Sequence, residues 1–379
     1  MAVNHLVAFS DVVTGLGIIG GSPYGCGTLP DCGNTCSGFQ AAAHLENKSI
    51  PWDTWVDGLR SGYIAKRAKQ GQVAPLSNLR GKPVFLFSGL DDVYVYQSVM
   101  RAVQRQFRAL GSRVHSEFSI YAAHSWVVDN ATCASPGVAG REPRRECCGI
   151  KGLVGSCAAS LSGYHSAGCC GRCSAGDMDK RAHTRVPKTP GWRPPINSCD
   201  YDLSGEILRW VEGADKVRPR GIVRPANLLA VNQSRFLPPG WTVDKALLDE
   251  TGFVYVPSGC QVHAPGSAGA GGGPAPLFAR RCSVHVHYHP CGGSLRQVGL
   301  SYMLENALPA YAESNDMVVL YPQSGSVRNP SGAGCFDWYG AVGQDFDTRA
   351  GVQLNAVLTM MRELRAPEAA RQAAVTPAH

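Results

Sequence analysis

Pro83-Val84-Phe85-Leu86-Phe87-Ser88-Gly89-Leu90-Asp91-Asp92 sets the fold class of this chain. A short continuous apolar run closed by Ser, Gly and Asp reads as a buried strand entering a tight loop. Gln97 to Leu110 follows, with Val99, Met100, Val103, Phe107 and Leu110 on one stripe, the spacing of an amphipathic helix. A second such unit runs from Val284 to Tyr288, through helix-like sequence at Gly299 to Ala312, into Met317 to Tyr321. Val352, Val357, Leu358, Met361 and Leu364 mark a late helix. Buried strands alternating with helices predict an α/β fold with a mainly parallel sheet covered by helices on both faces.

With 379 residues and 44% apolar content, the chain can bury a large core, and a single domain over residues 1–367 is expected. The net charge of +7 comes from Lys and Arg scattered along the chain, apart from Arg141 to Arg145 and Lys180 to Arg193. No basic stripe interleaved with aromatics exists, which argues against a nucleic-acid partner. No apolar run reaches the roughly 18 residues of a membrane span. The 15 cysteines do not form paired CxxC motifs at finger spacing, so disulfides in an oxidising compartment explain them better than zinc or a reduced cytosolic pool. Sequons at Asn47, Asn130 and Asn232 fit a secreted glycoprotein. Met1-Ala2-Val3-Asn4-His5-Leu6 has neither the basic region nor the cleavage pattern of a signal peptide, so this start is read as not the natural one.

Two stretches interrupt the pattern. Residues 134–198 hold Cys147, Cys148, Cys157, Cys169, Cys170 and Cys173 among Gly, Ser and Arg, with few aliphatic residues. Such an insert is expected to need disulfide staples for order, and its pairing is not readable from sequence. Residues 264–276 form a low-complexity Gly/Ala/Pro loop, and 368–379 read as a flexible tail.

In open α/β sheets, chemistry collects beyond the carboxyl ends of strands, where Asp92 is expected to lie. Of Asp91 and Asp92, one carboxylate faces the crevice while the other caps the next helix; the competing reading makes both turn residues. His124, in Ile120-Tyr121-Ala122-Ala123-His124-Ser125-Trp126, also ends a short apolar strand, although a lone His there is ordinarily just a loop residue. Asp followed by His is the order in which hydrolases of this class carry the acid and base of a triad. His285, His287 and His289 share one strand face but stand about 7 Å apart with no evident fourth ligand, so no metal is expected. The alternative makes His289-Pro290-Cys291-Gly292-Gly293 an oxyanion loop. No Gly-x-Ser-x-Gly elbow occurs; the nearest stretch, Pro265-Gly266-Ser267-Ala268-Gly269, lacks the first glycine and a flanking strand and helix.

Several stretches together resemble the extracellular single-domain poly(3-hydroxybutyrate) depolymerases, a circularly permuted α/β-hydrolase family. They are Phe9-Ser10-Asp11-Val12, Gly20-Gly21-Ser22-Pro23-Tyr24-Gly25-Cys26, Ser88-Gly89-Leu90-Asp91-Asp92, Ala123-His124 and Asn197-Ser198-Cys199-Asp200-Tyr201-Asp202. Gly252-Phe253-Val254-Tyr255-Val256-Pro257, Cys282 through Cys291, Leu320-Tyr321-Pro322-Gln323, Asn329-Pro330, Gly334-Cys335-Phe336-Asp337-Trp338 and Gly351-Val352-Gln353-Leu354 follow in the family's order. The resemblance implies Asp92 as triad acid, His124 as triad base and the backbone N–H of Cys291 as one oxyanion donor, with Pro290 standing where the family has glycine. It implies an aromatic substrate contact at Phe336, with Trp338 nearby. It aligns Met1-Ala2 with the end of the family's nucleophile segment, so the nucleophile strand and serine are expected just upstream of this chain. It further implies disulfides Cys26 with Cys36 (or Cys32), Cys133 with Cys199, Cys260 with Cys282, and Cys291 with Cys335.

The expected function is that of a secreted serine esterase, a monomer without cofactor, that hydrolyses poly(3-hydroxybutyrate) or related short-chain hydroxyacyl esters. The alternative is a catalytically inactive polyester- or carbohydrate-binding protein on the same scaffold.

Overall fold

The computed structural model describes residues 1–28, 36, 57–90, 92, 94–129, 154–156, 196–262, 277–278, 282–325, 328–330, 334–364 and 375–377. Asp91, Cys133, the sequons at Asn47 and Asn130, the low-complexity loop and the six cysteines of the insert lie outside these residues. The fold is α/β. Where one domain is expected, the chain divides into two compact units. The first draws on Met1–Cys133, Arg145–Lys216 and Asp337–Leu354, the second on Val217–Phe336 and Asn355–His379. Each unit has sheets of its own.

In the first unit, helix α1 (Ala2–Ala8) leads into β1 (Leu16–Ile19), which pairs in parallel with β2 (Pro83–Phe87), itself parallel to β3 (Arg113–Glu117). Val84 through Phe87 are almost wholly buried, as the apolar run demands. Phe87 stacks on Tyr201 at 6.0 Å, and Phe85 lies 5.0 Å from His115, which in turn lies 5.1 Å from Trp210. By strand alternation Val84 and Leu86 therefore face the opposite side. Helix α2 (Gln97–Ala109) packs on β2 and β3 and buries Val99, Met100, Val103 and Phe107, the stripe read from sequence. β4 (Trp126–Val128), β5 (Val154–Ser156) and β6 (Ile196–Ser198) form a second parallel sheet in the order β4, β6, β5. Ile196, Asn197 and Ser198 are fully buried, so the end of the expected insert belongs to the core. Helix α3 (Leu203–Glu212) is capped by Asp202, whose side chain accepts the Gly205 N–H at 3.0 Å, and packs on β1, β2 and β4. Gly17 admits it: a Cβ there would lie 2.8 Å from Ile207.

The second unit is built on β7 (Leu228–Asn232), β8 (Thr251–Tyr255), β9 (Gln261–Val262), β10 (Leu277–Phe278), β11 (Ser283–Val286), β12 (Met317–Tyr321) and β13 (Val375–Pro377). β9 and β10 make a hairpin; the rest form one sheet in the order β11, β12, β8, β7, β13. β11 and β12 are parallel and the remaining pairs antiparallel, so this sheet is mixed. β12, Met-Val-Val-Leu-Tyr, is buried along its whole length, which suits a central strand covered on both faces. The helix expected over Gly299 to Ala312 is broken into Ser301–Glu305 and Leu308–Asn315. Pro309 fits only the first turn of a new helix, Ala307 takes φ +67°, and Asn306 Oδ1 accepts the Leu308 N–H at 3.0 Å. The tail expected to be flexible contributes β13, because β7 offers Val375, Thr376 and Pro377 a free edge to pair with. Val352–Leu364 is helical, as its periodicity requires.

Candidate active site

Because β1, β2 and β3 are parallel neighbours, the loops that follow them leave the sheet at one edge. Gly20 follows β1, Asp92 follows β2, and His124 lies in the loop after β3. The last two loops are laced together by backbone bonds. Ser88 N–H donates to Glu117 O at 3.1 Å, and Leu90 N–H donates to Ile120 O at 2.9 Å. Gln97, at the start of α2, donates through Nε2 to both Ser88 O (3.1 Å) and Phe118 O (2.8 Å). Gly89 permits the close approach, since a Cβ there would meet Ala122 O at 1.9 Å.

This lacing brings His124 Nδ1 to 3.0 Å from Asp92 Oδ2. Asp92 is buried, and its other oxygen, Oδ1, accepts the N–H groups of Tyr94 (3.0 Å) and Val95 (2.8 Å). The carboxylate is thus oriented from behind and presents one oxygen to the imidazole. With Nδ1–H given to Asp92, His124 Nε2 carries the lone pair, the tautomer a general base needs. Burial lowers the His124 pKa, but Coulombic attraction to Asp92 and their hydrogen bond outweigh it, leaving a net raise above the usual 6.5. Tyr94 lies tilted against the imidazole with ring centroids 5.7 Å apart. Gly20 backs the ring at φ +57°, with space for nothing larger: a Cβ would sit 2.4 Å from His124 Cε1. The loop's other end is held by Ser125, whose Oγ donates to Asn197 Oδ1, and by Trp126 Nε1, which donates to Ser204 Oγ at 3.3 Å. The amino end of α1 lies beside the same turn, Val3 Cγ2 being 4.0 Å from where a Gly21 Cβ would stand.

Of the other sequence-derived residues, Cys291 and Phe336 belong to the second unit and Trp338 to the first. Cys291 sits exposed in the second unit, in a turn closed by Gly293 N–H donating to Pro290 O at 2.9 Å, with Gly292 at φ +78°. His289 holds this turn: Nδ1–H donates to Pro290 O at 2.8 Å, and Nε2 accepts the Ser324 N–H at 3.0 Å. Both ring nitrogens are committed to backbone, and burial lowers the His289 pKa to about 4, so it is a neutral brace rather than a metal ligand. His285 is likewise lowered to about 4 and His287 well below its ordinary value, both chiefly by burial. Among the described residues no group of His, Cys, Asp and Glu is arranged to hold a metal ion.

Phe336, expected as a substrate contact, is 5% exposed and packed against His289 (4.7 Å) and Tyr288 (5.1 Å). Its faces are consumed by that packing and offer no open surface to an ester chain. Trp338, in the first unit, is half-buried against Tyr339. Disulfides join Cys26 to Cys36, Cys260 to Cys282 and Cys291 to Cys335. Cys36, not Cys32, is therefore the partner of Cys26. Cys199 is disulfide-bonded as well, while its expected partner Cys133 lies outside the described residues. Gln97, Gly20, Tyr94 and Asn197 escaped the sequence reading as site-building residues; the Gly20-Gly21 pair and Asn197 stood in the resembling stretches, and Gln97 carried no signal at all.

No protein-family model matches the chain. The poly(3-hydroxybutyrate) depolymerase of Delftia acidovorans is 24% identical to it over 366 residues, covering 95% of this chain and 56% of that protein. The chain thus spans little more than half the length of that relative. The polyhydroxybutyrate depolymerase of Talaromyces funiculosus is 24% identical over 377 residues, 96% of this chain and 86% of that protein. Among solved structures, a PHB depolymerase complexed with an R3HB trimer superposes with a TM-score of 0.61 at 22% identity, over 96% of this chain and 91% of that one. The PHB depolymerase from Penicillium funiculosum gives 0.60 at 21% identity, over 95% and 90%. The chain is thus similar in sequence along nearly its whole length to poly(3-hydroxybutyrate) depolymerases and shares the fold of solved depolymerase structures.

Proposed function

We propose that this chain carries the acid, the base and the substrate-binding scaffold of a secreted serine esterase acting on poly(3-hydroxybutyrate) or related short-chain hydroxyacyl esters. The observation that carries this reading is the Asp92–His124 pair, held at 3.0 Å beyond the carboxyl ends of adjacent parallel strands. In this mechanism a serine Oγ attacks the ester carbonyl carbon while its proton passes to His124 Nε2. Asp92 keeps the imidazole in the required tautomer and stabilises the imidazolium. The tetrahedral oxyanion requires backbone N–H donors aimed at it. Collapse expels the alcohol, which takes the proton from His124; water then enters by the same path in reverse and frees the acid.

The serine in this reading comes from an elbow preceding α1, whose amino end borders the Gly20-Gly21 turn behind His124. Secretion is supported by the disulfides and by relatives that are depolymerases. The test compares the chain as given with one extended upstream through its own genomic Gly-x-Ser-x-Gly segment, on a methyl 3-hydroxybutyrate ester. The extended chain is expected to turn over, and the shorter one to fall short by about 10⁶-fold. Equal activity in both, unaffected by Asp92→Asn and His124→Ala, would overturn the assignment. Upstream sequence with no elbow, together with polyester binding, would favour the non-catalytic binding protein.

A further inference from the structure

The first turn of α2 reaches all three loops that meet at His124. Gln97, at its start, bonds one carbonyl in the loop after β2 and one in the loop after β3. Met100, three residues on and so on the same side of the helix, serves the loop after β1. Its side chain is fully buried, and its thioether Sδ accepts the Gly21 N–H at 3.2 Å. That N–H belongs to the peptide unit joining Gly20 to Gly21, so the bond fixes the peptide plane beside the Gly20 Cα. Gly20, at φ +57°, is in turn the residue that backs the imidazole: a Cβ on it would stand 2.4 Å from His124 Cε1 and 2.7 Å from His124 Nδ1. Nδ1 is the atom held 3.0 Å from Asp92 Oδ2.

The Gly20–Gly21 turn is tight on every side. A Cβ on Gly21 would lie 2.5 Å from Ile18 Cγ2, so the chain folds back closely on β1. Farther along, the same loop is pinned by α2 again: Tyr24 N–H donates to Gln106 Oε1 at 2.7 Å, and Gln106 Nε2 donates to Tyr24 O at 3.0 Å. Two consecutive glycines have the widest backbone freedom of any residue pair, so the turn between these anchors needs an outside bond to keep one conformation. Leucine would fill nearly the volume of Met100 but has no acceptor, so packing alone does not call for methionine here. Resting on the esterase reading above, we propose that Met100 is a positioning residue: its sulfur, through the Gly20–Gly21 peptide, sets the backbone wall that keeps the His124 ring facing Asp92 during acyl transfer.

Met100→Leu and Met100→Gln separate this role from core filling. Leucine keeps the apolar volume and removes the acceptor; glutamine offers Oε1 as an acceptor but buries an amide, which lowers stability. If Met100 only fills the core, activity follows stability and leucine is the better replacement. If it positions the turn, activity follows the acceptor. In the chain as given, the proton between His124 Nδ1 and Asp92 Oδ2 is read from its far-downfield NMR resonance, assigned by its loss in Asp92→Asn, and the Gly21 amide from its hydrogen exchange. Met100→Leu is expected to unfold near the wild-type urea midpoint, yet to shift or broaden that resonance and to speed Gly21 exchange. In the extended, active chain it should lower kcat on methyl 3-hydroxybutyrate about tenfold with KM nearly unchanged, the mark of a misplaced catalytic group. Met100→Gln should be less stable than Met100→Leu but keep the resonance and recover most of kcat. Wild-type resonance, exchange and kcat in Met100→Leu, or a folded Met100→Gln enzyme slower than Met100→Leu, would overturn the positioning role and leave the esterase reading standing. An extended chain that turns over no ester would overturn the esterase reading, while the resonance and exchange in the chain as given still decide whether Met100 holds the ring.

Discussion

At the scale of single residues, Asp92 and Gly20 act on His124 from two sides. The carboxylate raises the imidazole's pKa above 6.5 against the burial that lowers it, and a general base must be neutral. In the extended, active chain, kcat/KM is therefore expected to rise with pH through an apparent value above 6.5. Asp92→Asn removes the attraction and leaves burial, so its acidic limb should move to lower pH while kcat falls about 10⁴-fold. A pH–rate profile checks both. The same raised pKa makes the His124–Asp92 pair stabilising below about pH 6.5, with that contribution lost as pH rises through the higher folded value. Activity and this part of stability thus run in opposite directions with pH. Gly20→Ala places a methyl against the imidazole at a positive φ and is expected to cost about 1–2 kcal/mol in stability. By shifting the ring it should also lower kcat about 100-fold, as small misplacements of catalytic groups do. Urea unfolding and steady-state kinetics separate the two effects. Asp92 was legible because it follows an apolar run where β2 ends, and His124 because it follows Asp92 in acid-then-base order. The strand expected over Ile120 to Ala123 is instead a loop between β3 and β4, since its backbone is taken up in lacing to the loop after β2. Gly20 was not, because its necessity lies in an imidazole far away in sequence.

At the scale of elements, the site depends on two loops being held in register. Gln97 does this from the first position of α2, bonding one carbonyl in each loop. Gln97→Ala is expected to destabilise the chain by about 1–3 kcal/mol, since two carbonyls lose their donor, and to reduce turnover by loosening the Asp92–His124 contact. Gln97→Asn, too short to reach both carbonyls, should not rescue it; thermal melts and turnover on the methyl ester test this. The amphipathic stripe of α2 was readable because its period is intrinsic to the helix. The break at Asn306–Ala307 was not, since apolar spacing continues across it and only Pro309 hinted at a second start.

At the scale of the whole molecule, crosslinks complement the cores. Cys260–Cys282 closes a sequence separation of 22, so replacing both cysteines with alanine is expected to cost about 3 kcal/mol, measured by chemical denaturation under oxidising conditions. Sequence by itself determined the strand–loop–helix grammar, the disulfide-rich character and the acid-then-base order, since these depend on local periodicity, composition and chain order. Tertiary structure alone decided that residues 196–198 and 375–377 join sheets, and that Phe336 is enclosed while Trp338 is only half-buried. The physical reason is that sheet pairing and burial are set by partners distant in the chain: a strand edge, a facing ring or a missing Cβ leaves no periodic mark on the residues it acts upon.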